Sequence, residues 1–265
     1  MCGYNIAMTD EKDRQPARPS LAGALRKGFR AAYDNLGYVV FATFAVFLVT
    51  SAFFATGAAL AREARLGVGG IVLYLPAVCA AWISAAGVFY HVDKSVYHEY
   101  PSLVDTWTGI KTLAWPAAKL FVPDLAVTTL LLGDAVFFLT GRRNPAFAIF
   151  GVACGYAALV WMMTATYHLP LLVAQLRMES GPRPFVVVRK SFLLTLDNPG
   201  FTVGLFVVII ALAILCAVPA FIGAAVFYLG AAAFVLTHAL RELFVKYGIV
   251  EEEPEVIEDD GWPRS

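Results

Sequence analysis

Residues 201 to 240 form a run of forty positions without a single Asp, Glu, Lys or Arg. A helix needs about 20 mostly apolar residues to cross a bilayer, so this run has the length of two spans. Pro219, near its middle, lacks the amide hydrogen that would continue a helix. The run therefore predicts two spans, residues 201–217 and 220–240, joined by a tight turn.

Four earlier apolar runs predict four more spans. They comprise residues 36–60, 69–90, 116–140 (or 120–140) and 145–176. We expect Pro76 to kink the second span and Pro170 to bend the fourth. Only 15% of the residues are charged, whereas soluble domains carry about a quarter. The sequence therefore predicts an all-α membrane protein with six transmembrane helices.

The basic residues predict how the spans are oriented. Sixteen of the 20 Lys and Arg residues fall on the side that holds both termini, and four on the other. Cytoplasmic loops are enriched in Lys and Arg, so we predict a bacterial cytoplasmic (inner) membrane protein with both termini cytoplasmic. The membrane domain is predicted over residues 20–247, between a disordered segment (1–19) and an acidic disordered tail (248–265). A net charge of zero gives no indication of nucleic-acid binding.

One short sequence motif, here called the repeated phrase, occurs twice in the chain. RKGFRAAYDNLG spans residues 26–37, and RKSFLLTLDNPG spans residues 189–200. Around each, apolar residues recur at helical spacing with basic residues on the opposite face, which is typical of a helix lying at the membrane surface. We predict that the basic side chains contact anionic lipid headgroups. They are Arg26, Lys27, Arg30, Arg189 and Lys190, joined by Lys111 in a third copy.

The end of each phrase predicts a hinge between a surface helix and a span. The hinge residues are Asp34, Asn35 and Gly37 in the first copy, and Asp197, Asn198, Pro199 and Gly200 in the second. Asp and Asn favour helix N-caps, and Pro favours the first position of a helix. Glycine tolerates backbone conformations that a sharp bend requires. We therefore expect each surface helix to break before the chain enters the membrane.

A third copy of the pattern begins at Ser102, with Trp115-Pro116 at the place of the hinge. Phe29, Ile110 and Phe192 then occupy matching positions, separated by 81 and 82 residues. The chain can be divided into three parallel repeats of one surface helix and two spans, about residues 20–90, 102–176 and 183–240. The alternative is that basic residues and a helix break before a span are common constraints that arise without repetition.

Polar residues inside spans are the default candidates for a functional site. These candidates are Asp124, Asp134, His168 and His238. Asp124 either complements the dipole of a helix that starts at Pro123, or lies two turns inside a span that starts at Pro116 and needs a partner. His168 is expected at a similar depth in the next span, so we predict that it pairs with Asp124. Asp134 is expected beside Gly133, whose small size would let another helix approach.

The sequence predicts no metal site and no cofactor. No two histidines have the HxxxH spacing, no CxxC pair occurs, and the phosphate-loop and hydrolase motifs are absent. The sequence therefore contains no catalytic motif, and we do not predict an enzyme.

The chain resembles the YesL-like family of bacterial membrane proteins, a domain of unknown function. The resemblance is carried by Asn35, Pro76, the segment Tyr167-His168-Leu169-Pro170, and Asn198-Pro199. It implies six spans and a tendency to be encoded beside carbohydrate-uptake ABC transporters and their sensors, so carbohydrate ABC transporter components are the expected partners. We therefore expect a small-solute permease or an accessory subunit linked to carbohydrate uptake. The alternative is a non-transporting scaffold or sensor-coupling protein that acts through its surface helices and acidic tail.

Overall fold

The computed structural model describes residues 19–63, 72–140, 145–178, 181–218 and 222–251. These residues form nine α-helices and no strand. The helices are α1 (Leu21–Asp34), α2 (Leu36–Glu63), α3 (Leu75–Val96), α4 (Leu103–Thr140), α5 (Pro145–Ala165), α6 (His168–Arg177), α7 (Pro184–Asp197), α8 (Pro199–Ala217) and α9 (Leu229–Lys246). The predicted terminal segments lie largely outside the described residues.

Six helical segments are long and apolar enough to cross a membrane. They are Leu36–Glu63, Val72–Val96, Leu103–Thr140, Phe147–Arg177, Pro199–Ala217 and Ala224–Lys246. The all-α fold and the six predicted spans are therefore confirmed, including the division of the long apolar run into two. Many large apolar side chains on these helices are exposed, as in Phe41, Phe54 and Leu130, which suits contact with lipid.

Helix α9 is the core of the bundle. It contacts α1, α2, α3, α6 and α8, and every residue from Gly230 to Leu240 is buried. A five-residue π-helix, Ala224–Tyr228, leads into it. Gly230 permits a close crossing of α9 and α2, because a Cβ atom there would lie 2.8 Å from Val39 Cα. Its amide donates to Thr43 Oγ1 at 2.9 Å, which fixes α9 against α2.

The first and third surface helices break where the sequence predicts, at Asn35 and Asn198. One predicted reason is confirmed, because Pro199 is the first residue of α8, but the predicted caps and glycine bends are wrong. Neither Asn side chain caps the helix that follows: the Asn35 amide donates to the carbonyl of Ala31 in the helix before it, at 2.9 Å. Gly37 and Gly200 lie inside the first turns of α2 and α8, without positive φ, so they do not form the bend.

The second surface helix does not break at all. Helix α4 runs without interruption over 38 residues through both Pro116 and Pro123. At 1.5 Å per residue it is about 57 Å long, nearly twice the hydrocarbon thickness of a bilayer. The predicted hinge at Trp115-Pro116 is therefore wrong, and neither Pro116 nor Pro123 starts a helix. Leu113 and Ala117, fully buried on either side of Pro116, show that packing holds the helix together here.

The fourth span breaks just before Pro170 rather than bending there. Helix α5 ends at Ala165, and α6 begins at His168 after a two-residue turn. Proline at 170 removes the hydrogen bond to the carbonyl four residues earlier and would clash with it. The predicted kink at Pro76 is also not found, because Pro76 lies in the first turn of α3, where proline is tolerated.

The threefold repeat is not confirmed, since its second unit lacks the break. The contacts nevertheless follow one rule. Helix α1 packs on α9, the N-terminal part of α4 packs on α3, and α7 packs on α5 and α6. Each predicted surface helix thus contacts the second span of the preceding unit, when the third unit is taken to precede the first in a closed ring. The residues before Phe29, Ile110 and Phe192 are all small and buried: Gly28, Gly109 and Ser191.

Candidate functional site

The candidate site is formed where α4 and α6 meet inside the bundle. Asp124 lies in the interior of α4, about 24 Å along the axis before the helix ends at Thr140. His168 is the first residue of α6. The break before Pro170 separates this histidine from α5 and gives α6 its own direction. The same proline that interrupts the span therefore positions the histidine.

Asp124 and His168 form a buried hydrogen-bonded pair. His168 Nδ1 lies 2.9 Å from Asp124 Oδ2. The side chain of His168 is 0% exposed and that of Asp124 is 9% exposed. A carboxylate can only accept hydrogen bonds, so with Asp124 ionised the Nδ1 proton belongs to the histidine. The predicted contact between these two residues is confirmed.

The pair leaves one ring nitrogen without a hydrogen bond. His168 Nε2 is buried and has no partner among the described residues, whereas Asp124 Oδ1, the second carboxylate oxygen, lies 2.9 Å from the same His168 Nδ1 in the ion pair. The edge of the Trp161 ring meets His168, with centroids 5.7 Å apart, and the buried Trp161 Nε1 also lacks a partner. The contact therefore joins α4, α5 and α6.

The other two intramembrane candidates are not part of this pair. Asp134 lies ten residues further along α4, about 15 Å away along the axis. It is half-buried and makes no hydrogen bond with a described residue. A side chain at Gly133 would meet open space, so the expected approach of another helix is wrong. His238 is buried on α9 and does not hydrogen-bond to either member of the pair.

The predicted surface cations are all exposed, although they differ in their contacts. Lys27 forms an ion pair with Glu242 on α9 at 2.9 Å. Lys111 lies over the ring of Trp107, 5.2 Å from its centroid. The face of α1 that packs against the protein consists of the small residues Ala24, Gly28 and Ala32. Phe29 and Tyr33 are exposed, as on a helix that lies at a membrane surface.

Hydrogen bonds and an ion pair join the hinge between α7 and α8 to the end of α9, and this contact is called the clamp. Asn198 accepts a hydrogen bond from Lys246 Nζ at 2.6 Å and bonds to the Tyr247 hydroxyl at 2.7 Å. Tyr247 also donates to Asp197, and Lys246 forms an ion pair with Asp197 at 3.3 Å. The hydrogen bond from Tyr247, followed by the Lys246 contacts, lowers the pKa of Asp197. Asp34, at the other hinge, is exposed.

Sequence reasoning missed one charged cluster at the ends of α3 and α6. Arg177 donates to Asp93 at 2.8 Å and to Glu99 at 3.1 Å. Its guanidinium lies 3.9 Å from the centroid of the Tyr97 ring. Asp93 is 8% exposed, so the cluster is partly shielded from solvent. Asp93 at the end of a predicted span was a signal, but its partner lies 84 residues away in the chain.

No protein-family model matches this chain, and no curated protein or solved structure matches it either. Six apolar helices define a polytopic membrane protein. The fold and the site define its class no further than that.

Proposed function

We propose that this polytopic protein is a non-conducting membrane subunit that acts by binding other proteins. The observation that carries the proposal is the packing of α9. Residues 230–240 are buried without a break, and the stretch from Gly230 to Leu236 contains no polar side chain. A solute pathway through the centre of the bundle would require polar groups lining a cavity there. Along this stretch of α9 the bundle is instead closely packed and apolar.

The proposed working surface is the surface-helix side, defined here by α1, residues 103–115 of α4, α7, and the ends of α3, α6 and α9. Charged residues cluster on this side, in the Arg177 cluster and in the clamp at Asp197. Tyr100, in the loop between α3 and α4, is fully exposed. We propose components of a carbohydrate ABC transporter as the partners, a choice that rests on the resemblance noted in the sequence alone.

A small-solute permease is the second candidate, and one observation favours it. A buried carboxylate and imidazole are costly inside a bilayer and frequently mark ion or proton pathways. Asp124 and His168 form such a pair. The same pair can act as an inert clamp between α4 and α6, and that role needs no pathway.

Reconstitution separates the two candidates. The full chain is placed in proteoliposomes loaded with sugars, and uptake of radiolabelled sugar is compared with protein-free vesicles, with and without a proton gradient. We expect no difference. Affinity purification from lightly crosslinked native membranes is then expected to enrich permease or ATPase components of a sugar transporter over an unrelated six-span control. Saturable uptake that is lost in Asp124→Leu would contradict the proposal and favour the permease.

A further inference from the structure

A cavity of about 440 Å³ opens on the surface-helix side, between α6, α7 and the end of α9. Its floor is apolar and buried: Leu171, Ala174 and Phe244 are between 4% and 5% exposed. The volume falls within the range of small-molecule sites, about 300 to 1,000 Å³. The proposed function assigns no ligand to this cavity. Its position at the membrane boundary makes it accessible to amphiphiles dissolved in the bilayer.

The mouth of the cavity carries one uncommitted positive charge. Lys190 lines the cavity, is exposed, and makes no ion pair or hydrogen bond with a described residue. The other charged group at the mouth is Asp197, which is already engaged by Lys246 and Tyr247. The mouth therefore offers a cation to an incoming headgroup while the nearby carboxylate is neutralised.

We propose that this cavity binds a fatty acid, with its chain on the apolar floor and its carboxylate at the Lys190 ammonium. The apolar floor accepts hydrocarbon by removing it from water. The single free cation matches the single charge of a carboxylate. One small cavity accommodates one chain, which favours a fatty acid over a two-chain phospholipid. The cavity lies on the surface-helix side that is proposed to bind partner proteins, but its test uses the chain without any partner, so failure of the fatty-acid site and failure of the proposed function are distinguishable.

The test uses the full chain in nanodiscs of zwitterionic phosphatidylcholine and a diazirine-labelled fatty acid. After photolysis, mass spectrometry locates the label, and the labelled fraction is measured against probe concentration. We expect saturable labelling of peptides from α6 and from the end of α9. Unlabelled fatty acid is expected to compete, and its uncharged methyl ester to compete less well.

Four variants make the test specific. Lys190→Gln is expected to raise the half-saturating concentration about two- to fivefold, as for a partly exposed ion pair, and to remove the preference over the methyl ester. Arg189→Gln, the neighbouring exposed cation that does not line the cavity, is the matched control and should behave as wild type. Ala174→Trp fills the floor and Leu193→Trp, at a half-exposed position, blocks the mouth. Both should abolish saturable labelling.

The proposal is overturned if Arg189→Gln and Lys190→Gln weaken labelling equally, because the charge effect would then be a property of the whole surface. It is also overturned if the probe labels Leu193→Trp as it labels wild type. That variant changes an exposed side chain, so the result stays decisive even if Ala174→Trp does not fold.

Discussion

Replacing the Asp124–His168 pair by apolar residues of similar shape should cost less stability than removing either partner alone. His168→Phe leaves a carboxylate that is 9% exposed without its only side-chain hydrogen bond to a described residue. Removing one partner of a buried pair costs about 3 to 5 kcal/mol in soluble proteins. Hydrogen bonds between membrane helices are weaker, about 0.6 kcal/mol on average with a maximum near 1.7. We therefore expect each single variant, His168→Phe or Asp124→Leu, to lose about 2 kcal/mol.

The double variant Asp124→Leu/His168→Phe buries no uncompensated polar group, and we expect it to lose under about 1 kcal/mol. The coupling energy would then be about 3 kcal/mol. Equilibrium unfolding in mixed micelles, titrated with SDS and followed by circular dichroism, measures all four proteins. Asp134→Leu is the control on the same helix, and it should be neutral because Asp134 has no hydrogen bond to a described residue. A double variant as unstable as the sum of the two singles would refute the pairing.

Three further predictions concern packing and pH. Gly230→Ala should destabilise the protein by about 1 to 3 kcal/mol, because the added methyl group overpacks against α2. Gly37→Ala is the control: its methyl group meets open space, so this variant should be neutral or stabilising by up to about 1 kcal/mol. Unfolding in SDS compares the two variants. Thr43→Val leaves the buried Gly230 amide unbonded, and should cost about 1 to 2 kcal/mol in the same assay. The pKa of Asp197 is lowered in the folded state, so its contact with Tyr247 stabilises the fold above the unfolded pKa of about 3.9. That stability is lost as the pH falls through the lower pKa of the folded state. The rate of hydrogen exchange in α7 should therefore rise over this pH range in wild type. In Asp197→Asn, exchange in α7 should not show this rise.

Features that depend on composition and span length could be predicted from the sequence. The absence of charge over residues 201–240, with Pro219 inside, was sufficient to place two spans there. The pairing of Asp124 with His168 followed from depth alone, because adjacent antiparallel spans bring residues at equal depth together. The other four spans were predictable for the same reason, since a bilayer constrains every span by length and hydrophobicity.

Features decided by helix packing could not be predicted in this way. Pro116 and Pro123 were interpreted as helix starts from local preference, yet α4 continues through both because its neighbours bury Gly109, Leu113 and Ala117. The face of α1 that packs on α9 could not be predicted for a related reason. Close contact with α9 selects small residues, and a Cβ at Gly28 would lie 2.8 Å from Val235 Cα. Hydrophobic periodicity measures which residues avoid water, and in a bilayer the large ones do so by facing lipid.

Cysteine accessibility along α9 tests most directly the claim that the centre of the bundle is sealed. In a chain whose native cysteines are replaced, Ala231, Ala233 and Val235 are each changed to Cys, with Tyr100→Cys as the exposed control. These three sites are 0% exposed, so a membrane-impermeant thiol reagent added to both sides of reconstituted vesicles should label only the control. Labelling of Ala231→Cys and Val235→Cys, one turn apart on α9, would contradict the account by revealing water along that face.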